Sequence, residues 1–588
     1  MWRNAFARPI SDNYSFFPLV MASSPALEPP VIANPSGIRI EKWIILALLV
    51  IVLVLKLCYI KALPYSSDEP QHLHVAWGWT QGMVQYRDYF DNHTPVFHLV
   101  MAPLVYWLGE RADILVWMRV AMLPLFGIAL ACLYWLGTRL YSRRAAIWAT
   151  LLCAASPAFL ITTTEFRADV LWMTAWVFTI TVAFGGTFTR KRAALTGLLL
   201  GLTFGVSMKT TLLLAGLLGS LAIVAGCLPA PERKRLFADS LCKGLLALSG
   251  FCVVPLAIIG FFASRGALDS LYYCVIQHNT LPGKAGGVGK ELLFHCVLFV
   301  VELGVLVAVG RKLLQYGADR TLAVRRTLIF LSGAFFLVLL YCFWPLVTRQ
   351  DYPPVAPLLA LTIAPLLLRV GAFPGSARHF CIPLMLLVVL TEINLAIAKR
   401  SPLRFRAQQS ELLTEVLRLT EPTDFVMDAK GETVFRHRPF YYVLETLTEE
   451  RMRRGLIADT IAEDMAEKGT CVTLLQKLTG KSKDWVDRFY IPVTERMSVV
   501  GQMLPEQKEP VARHFEIGVS ARYVVWSATG PVSGTMDGAP CSGPVTLTPG
   551  KHTFESNDPR PLAVFWAQAA ERGFSPFVTL PAKRPSHK

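Results

Sequence analysis

Runs of roughly twenty apolar residues, the length that crosses a hydrocarbon core of ~30 Å, recur along the chain as far as residue 397. We read about eleven such segments, with approximate limits 43–60, 112–138, 145–163, 170–188, 193–208, 211–228, 241–263, 291–310, 327–346, 353–368 and 379–397. Beyond residue 400 the pattern changes. TDFVMDAKGETVF, Thr423 to Phe435, reads as two short strands around a glycine turn, and DTIAEDMAEKG, Asp459 to Gly469, reads as a helix before the strand CVTLLQ. From His514 onward, HFEIGVS, RYVVWSA, TMDG, VTLTPG and LAVFWAQ alternate as strands between Gly and Pro turns. The pattern predicts a mainly α polytopic membrane protein with a soluble C-terminal region. Its expected parts are a disordered arm over 1–42, a transmembrane domain over 43–400, an α/β unit over 401–508 and a β-sandwich over 509–588.

Composition agrees: 53% of the 588 residues are hydrophobic and 17% are charged, too apolar for an ordinary soluble protein. The formal charge of +16 could point to nucleic acid, yet much of the basic excess lies in short loops between apolar runs, where it orients membrane spans. Arg139, Arg143 and Arg144; Arg190, Lys191 and Arg192; Arg233, Lys234 and Arg235; Arg311, Lys312, Arg320, Arg325 and Arg326; and Arg369 and Arg378 fall in alternate loops. By the positive-inside rule these loops are cytoplasmic, which puts the N-terminus inside and everything after about residue 398 outside. All of the 12 cysteines but Cys471 and Cys541 lie in or beside apolar runs, lack the spacing of zinc or haem sites and read as small buried hydrophobes, and a disulfide between Cys471 and Cys541 is left open.

That orientation gathers unusual polar positions on the outer face. YSSDEPQHLHVAWG, Tyr65 to Gly78, leaves the first apolar run with Asp68, Glu69, His72 and His74. TEFRADVLW, Thr164 to Trp172, supplies Glu165, Arg167 and Asp169; SMKTTLLL supplies Lys209; TRQDYPP, Thr348 to Pro354, supplies Arg349 and Asp351. Ionisable groups at membrane depth are costly and face a cavity or one another, so their convergence marks a site. Each residue also has a plain structural reading. Asp68 and Glu69 suit a helix N-terminus, Lys209 can snorkel, Arg349 and Asp351 can form a surface ion pair, and His72 and His74 suit an interface. GKAGGVGK, Gly283 to Lys290, fails as a phosphate loop because Glu291 stands where Ser or Thr is required.

The stretch from Asp68 to Leu104 resembles the first outer loop of the GT-C membrane glycosyltransferases, in the branch of protein O-mannosyltransferases and the lipid A aminoarabinose transferase. The matching elements are Asp68-Glu69, Gly82, Tyr86 to Asp88, and His93-Thr94-Pro95, with Thr94 in place of a proline. FRAD, Phe166 to Asp169, resembles the family's Arg-Pro-Asp, again without its proline. GLLLGLTFGVSMKTT, Gly197 to Thr211, resembles its Gly-rich span ending in Lys-Thr, and RQDYPPVAPLLAL, Arg349 to Leu361, its late Tyr-x-x-Pro-x-x-Pro element. The resemblance covers roughly residues 43 to 400.

It implies a glycosyltransferase that moves a sugar from a polyprenyl phosphate to a lipid, glycan or protein acceptor on the outer face of the bacterial cytoplasmic membrane. Asp68, Glu69 and Asp169 are then the expected catalytic residues, with Asp68 as general base. Asp88, Asp91, His93, Arg167, Lys209, Arg349 and Tyr352 are expected to bind substrate, Lys209 and Arg349 through the phosphate. No organic cofactor and no metal is assigned, although several carboxylates leave a divalent cation open. The expected partners are the lipid-linked sugar, the acceptor and membrane lipid, without nucleic acid. A ligase or polymerase using a polyprenyl diphosphate is an alternative within enzymes. A transporter or flippase is the alternative outside them, although the charges cluster at one face and no internal repeat is found.

Overall fold

The structure, a computed structural model, describes residues 35–280, 288–315, 319–344, 347–370, 381–403, 408–478, 480–506 and 512–578. Most of the expected N-terminal arm, 1–34, and residues 283–287 of the glycine-rich stretch lie outside the described residues. The helix Pro35–Ala62 begins inside the expected arm.

Every expected apolar segment coincides with helix. Six helices among the described residues are long and apolar enough to cross a membrane: Arg39–Ala62, Ile114–Leu140, Thr210–Cys227, Leu241–Ser264, Arg320–Phe343 and Cys381–Lys399. The expected segment 145–163 is broken, because Arg143–Ala155 and Pro157–Thr164 meet at 63°. Ser156 there is extended, the conformation favoured before a proline, so the helix cannot run through. The expected segments 170–188 and 353–368 form the shorter apolar helices Ala168–Phe184 and Ala356–Val370.

The Gly-rich helix Arg190–Val206 lies against Ala230–Ser264 at backbone distance. A Cβ on Gly197 would stand 1.8 Å from the Ala247 carbonyl oxygen, and one on Gly201 2.3 Å from that of Phe251. Small residues permit such close helix approach in membrane proteins.

The 50 residues or so after the first helix contain two short helices, Asp68–Thr80 and Val96–Leu108, packed against each other. Beyond residue 408 the chain is β-rich with short helices. Val426–Met427, Val472–Leu474, Met497–Leu504, Leu562–Trp566, Ala521–Ser527 and Val545–Leu547 lie side by side in one sheet in that order. Tyr490–Thr494 pairs with Met497–Leu504 and Gly530–Pro531 with Ala521–Ser527, and four further strands, Arg513–Ile517, Gly550–Glu555, Gly534–Met536 and Ala539–Cys541, form a second sheet. The division expected at residue 508 is therefore crossed. Met497–Leu504 pairs with Val472–Leu474 through its first residues and with Leu562–Trp566 through its last, and one apolar core runs from Leu412 to Phe574. An eight-residue strand is long enough to carry both partners.

The expected strand pair around Gly431 is instead a loop. Only Val426–Met427 is strand, and the residues after it are turns that leave the β-rich region and enter the helical one. Val434 and Phe435 belong to the core of the apolar helices.

Candidate active site

Proline at 70 and two acidic residues in the first turn start the helix Asp68–Thr80 where the first apolar helix has ended. The two carboxylates then go separate ways. Glu69 is buried at 0% exposure. Its oxygens accept from Arg119 Nε at 2.7 Å and Nη2 at 2.6 Å, from the Phe166 amide at 2.9 Å and from the Ser66 amide at 2.8 Å. Arg119 also donates to the carbonyls of Ile60, Leu63 and Pro64, the end of the first apolar helix and its exit. Both residues are fully engaged as a staple between three segments.

Asp68 keeps 28% of its side chain exposed and opens an alternating chain of charges. Lys430 Nζ lies 2.5 Å from its Oδ1, and Arg167 pairs with its Oδ2. Arg167 Nε donates to Asp169 Oδ2 at 3.1 Å; Asp169 Oδ1 lies 3.2 Å from Lys209 Nζ; and Lys209 Nζ lies 2.5 Å from Asp351 Oδ1. Lys430, Asp68, Arg167, Asp169, Lys209 and Asp351 thus alternate in sign over five segments remote in sequence. Beside them Arg349 pairs with Glu165 while keeping a third of its own side chain exposed.

Local folding explains the placement. The chain bends at Ser156–Pro157 just ahead of Thr162–Thr164 and the residues Glu165, Arg167 and Asp169, and the buried Lys56 side chain holds the broken end. It donates to the Leu160 carbonyl at 3.2 Å and to Thr163 Oγ1 at 2.7 Å. Asp351 accepts from the Thr348 amide at 2.6 Å and its hydroxyl at 2.9 Å, closing the turn Arg349–Asp351 and fixing Arg349 toward Glu165. Burial works against ionisation of Asp68, but Arg167 and Lys430 outweigh it and hold the carboxyl well below the usual carboxylate range. Glu165 moves the other way: burial, with Glu69 nearby, raises it.

Four expected substrate-binding residues stand elsewhere. Asp88 accepts from the Val84 amide at 2.7 Å and pairs with Arg87 at 2.7 Å, which makes it a turn cap. Asp91 is buried with His93 Nδ1 at 2.8 Å, Gln85 Nε2 at 2.6 Å and His98 Nδ1 at 3.5 Å. His72 Nδ1 and His98 Nε2 are 2.9 Å apart, so buried Asp91, His98 and His72 form a second cluster with the half-buried His93. Burial pushes His98 down to about 4, which keeps its ring neutral at physiological pH. Tyr352 pairs with Tyr341 through the hydroxyls.

The divalent cation left open by the sequence does not fit this donor set. Asp68, Asp169 and Asp351 are each bound to a basic side chain, and among the described residues no group of three His, Cys, Asp or Glu is placed to hold a metal.

Arg119, Lys56 and Lys430 carry weight here that the sequence reading did not give them. The first two are single basic residues inside apolar runs, and that incongruity was their available signal. Lys430 follows Asp68 by 362 positions in a segment of different composition and had none.

No protein-family model matches the chain, and no curated protein matches it in sequence. Its fold is nevertheless similar to that of solved structures. ArnT from Cupriavidus metallidurans in the apo state superposes with a TM-score of 0.53 at 12% identity, covering 79% of this chain and 98% of its own. The same protein bound to undecaprenyl phosphate gives 0.51 at 11% identity, with 78% and 98% covered. At such identity the likeness is one of fold.

Proposed function

We propose that the protein is a membrane glycosyltransferase that takes a sugar from a polyprenyl phosphate and passes it to an acceptor on the outer face of the bacterial cytoplasmic membrane. The observation that carries the reading is the alternating chain from Lys430 to Asp351 at the ends of the apolar helices. Buried charges are retained at a cost of several kcal/mol per ion, so a set of them open to one side marks chemistry on a charged group. That ArnT binds undecaprenyl phosphate supports the choice of a phosphate carried by a lipid.

In this reaction the bond between the sugar's anomeric carbon and the phosphate oxygen breaks, and the electron pair leaves with the phosphate. Lys209 and Arg349 stabilise that leaving anion. The acceptor hydroxyl loses its proton to Asp68 as its oxygen bonds the anomeric carbon. Arg167 and Asp169 orient Asp68 and Lys209. Glu69 is a positioning residue, since its oxygens hold Arg119 and two amides. The soluble region after residue 400 lies outside and the basic loops inside. An engineered cysteine at 533 should be labelled from outside in spheroplasts, and one at 142 should not.

The test is lipid analysis of a deletion strain by mass spectrometry. A polyprenyl-phosphate monosaccharide should accumulate while one envelope lipid or glycan loses a sugar. Accumulation of a polyprenyl diphosphate would replace this reading with a ligase or polymerase, and an unchanged lipid and glycan profile would remove the enzyme altogether.

A further inference from the structure

Lys430 belongs to the β-rich region by sequence and to the charge chain by position. Its backbone is held tightly. Asp428 accepts from the Gly431 amide at 2.8 Å, the Thr433 amide at 2.9 Å and the Thr433 hydroxyl at 2.7 Å, and Glu432 accepts from the Lys430 amide at 2.6 Å. Arg438 closes the base of the loop on Asp428 at 2.8 Å. The loop is also fastened to the helical region. The Val434 carbonyl lies 2.8 Å from His74 Nδ1, Arg436 reaches Glu110 at 3.0 Å, and Val434 and Phe435 are buried among the apolar helices. Gly431 has φ +81°, and a Cβ there would stand 2.7 Å from that of His74, so a side chain at this position would be strained and would force a neighbour to move. A loop built this firmly presents one side chain, Lys430, at a fixed point beside Asp68.

Among the named groups, cations and carboxylates match: Arg167, Lys209, Arg349 and Lys430 face Asp68, Glu165, Asp169 and Asp351. A phosphate entering this site adds negative charge and needs a cation that can turn to it. Arg167 bridges Asp68 and Asp169, and Lys209 bridges Asp169 and Asp351. Lys430 has Asp68 as its ion-pair partner, which engages one of the three donors of an ammonium.

We propose that Lys430 is a donor-binding residue contributed by the C-terminal region, which exchanges Asp68 for the phosphate of the lipid-linked sugar when that substrate binds. The inference rests on the function proposed above and adds a residue and a second region to its donor site. The exchange leaves Asp68 with one cation fewer at the moment it must accept the acceptor's proton. The C-terminal region is thereby a wall of the donor site, and its loop couples donor binding to base activation.

The test uses full-length protein in detergent with wild type, Lys430→Ala and Lys430→Arg, and undecaprenyl phosphate and undecaprenol as probes. Wild type should bind the phosphate at least 10-fold more tightly than the alcohol. Lys430→Ala should lose about 10-fold in affinity for the phosphate and none for the alcohol, with its Tm within a few degrees of wild type; Lys430→Arg should recover most of the loss. Phosphate affinity unchanged in Lys430→Ala, beside a wild type that prefers the phosphate, overturns this inference and leaves the donor reading standing. Equal loss for both lipids, or no rescue by arginine, makes Lys430 a structural residue and also overturns it. A wild type that does not distinguish the two lipids overturns the donor reading itself.

Discussion

Two assemblies meet at the start of the helix Asp68–Thr80, one around Asp68 and one around Glu69. They share a stretch of backbone and an acidic side chain and differ in almost everything else. The Glu69 assembly is dry, with both side chains at 0% exposure and every contact made to a chain segment that must be held in place. The Asp68 assembly is open to one side, draws its cations from two remote loops and leaves donors free to turn. Adjacent acids in a motif therefore need not share a task. The solvated, cation-flanked one can do chemistry, and the enclosed one keeps the geometry.

The sharpest break in this comparison is expected in activity. Asp68→Asn should lower sugar transfer by ~10² to 10⁴, the range for loss of a general base, while the protein still inserts. Near-normal transfer by purified Asp68→Asn would return Asp68 to the helix-start role, which asparagine fills about as well.

Glu69→Ala should act on folding. Removing one partner of a buried ion pair costs ~3–5 kcal/mol, so the variant should show a lowered Tm or fail to accumulate, and Arg119→Ala should do the same. A Glu69→Ala protein that melts like wild type but is inactive would move Glu69 into the chemistry.

Lys209→Ala should reduce kcat/KM for the donor by roughly 10- to 100-fold, since hydrogen bonds to charged groups contribute ~1.5–3 kcal/mol. Snorkelling predicts no change in donor kinetics.

The smallest effect concerns the loop that carries Lys430. Burial, reinforced by Asp428, pushes Glu432 up to about 7, so the folded state holds a proton there that the unfolded chain has lost. An acid raised on folding makes stability fall as pH rises, here from its ordinary value near 4.5 to about 7. Glu432→Gln should flatten that part of the curve of Tm against pH. Identical curves for the two proteins would show that the Glu432 carboxyl does not titrate in this way.

Much of this arrangement was legible in advance. Apolar length marked the helices, and ionisable residues at their ends marked Asp68, Arg167, Asp169, Lys209, Arg349 and Asp351, because a charge beside a membrane is conspicuous on its own. Span count was less legible. A composition window passes over Ser156 and Pro157 without registering the bend they impose, and it does not separate an apolar helix of 17 residues such as Ala168–Phe184 from a longer one. Asp88 and Asp91 stand apart from the charge chain, which a motif does not show because it records which residues recur and not which way they face; each finds a nearer partner in its own loop. Lys430 could not be read at all, since its position depends on how a separate core docks.

The loop bearing Lys430 also has a consequence in time. A ribosome makes residues 428–438 after every apolar helix has been synthesised, so a nascent chain faces the membrane with Asp68 one cation short and with no Val434 or Phe435 to fill the helical core. A chain truncated at residue 400 should therefore be cut by protease near residues 65–75 faster than the full-length protein. Equal resistance would show that the outer loop sets without its late-arriving partner. On the function proposed above, a polypeptide that has not yet been extended past residue 438 cannot begin transfer.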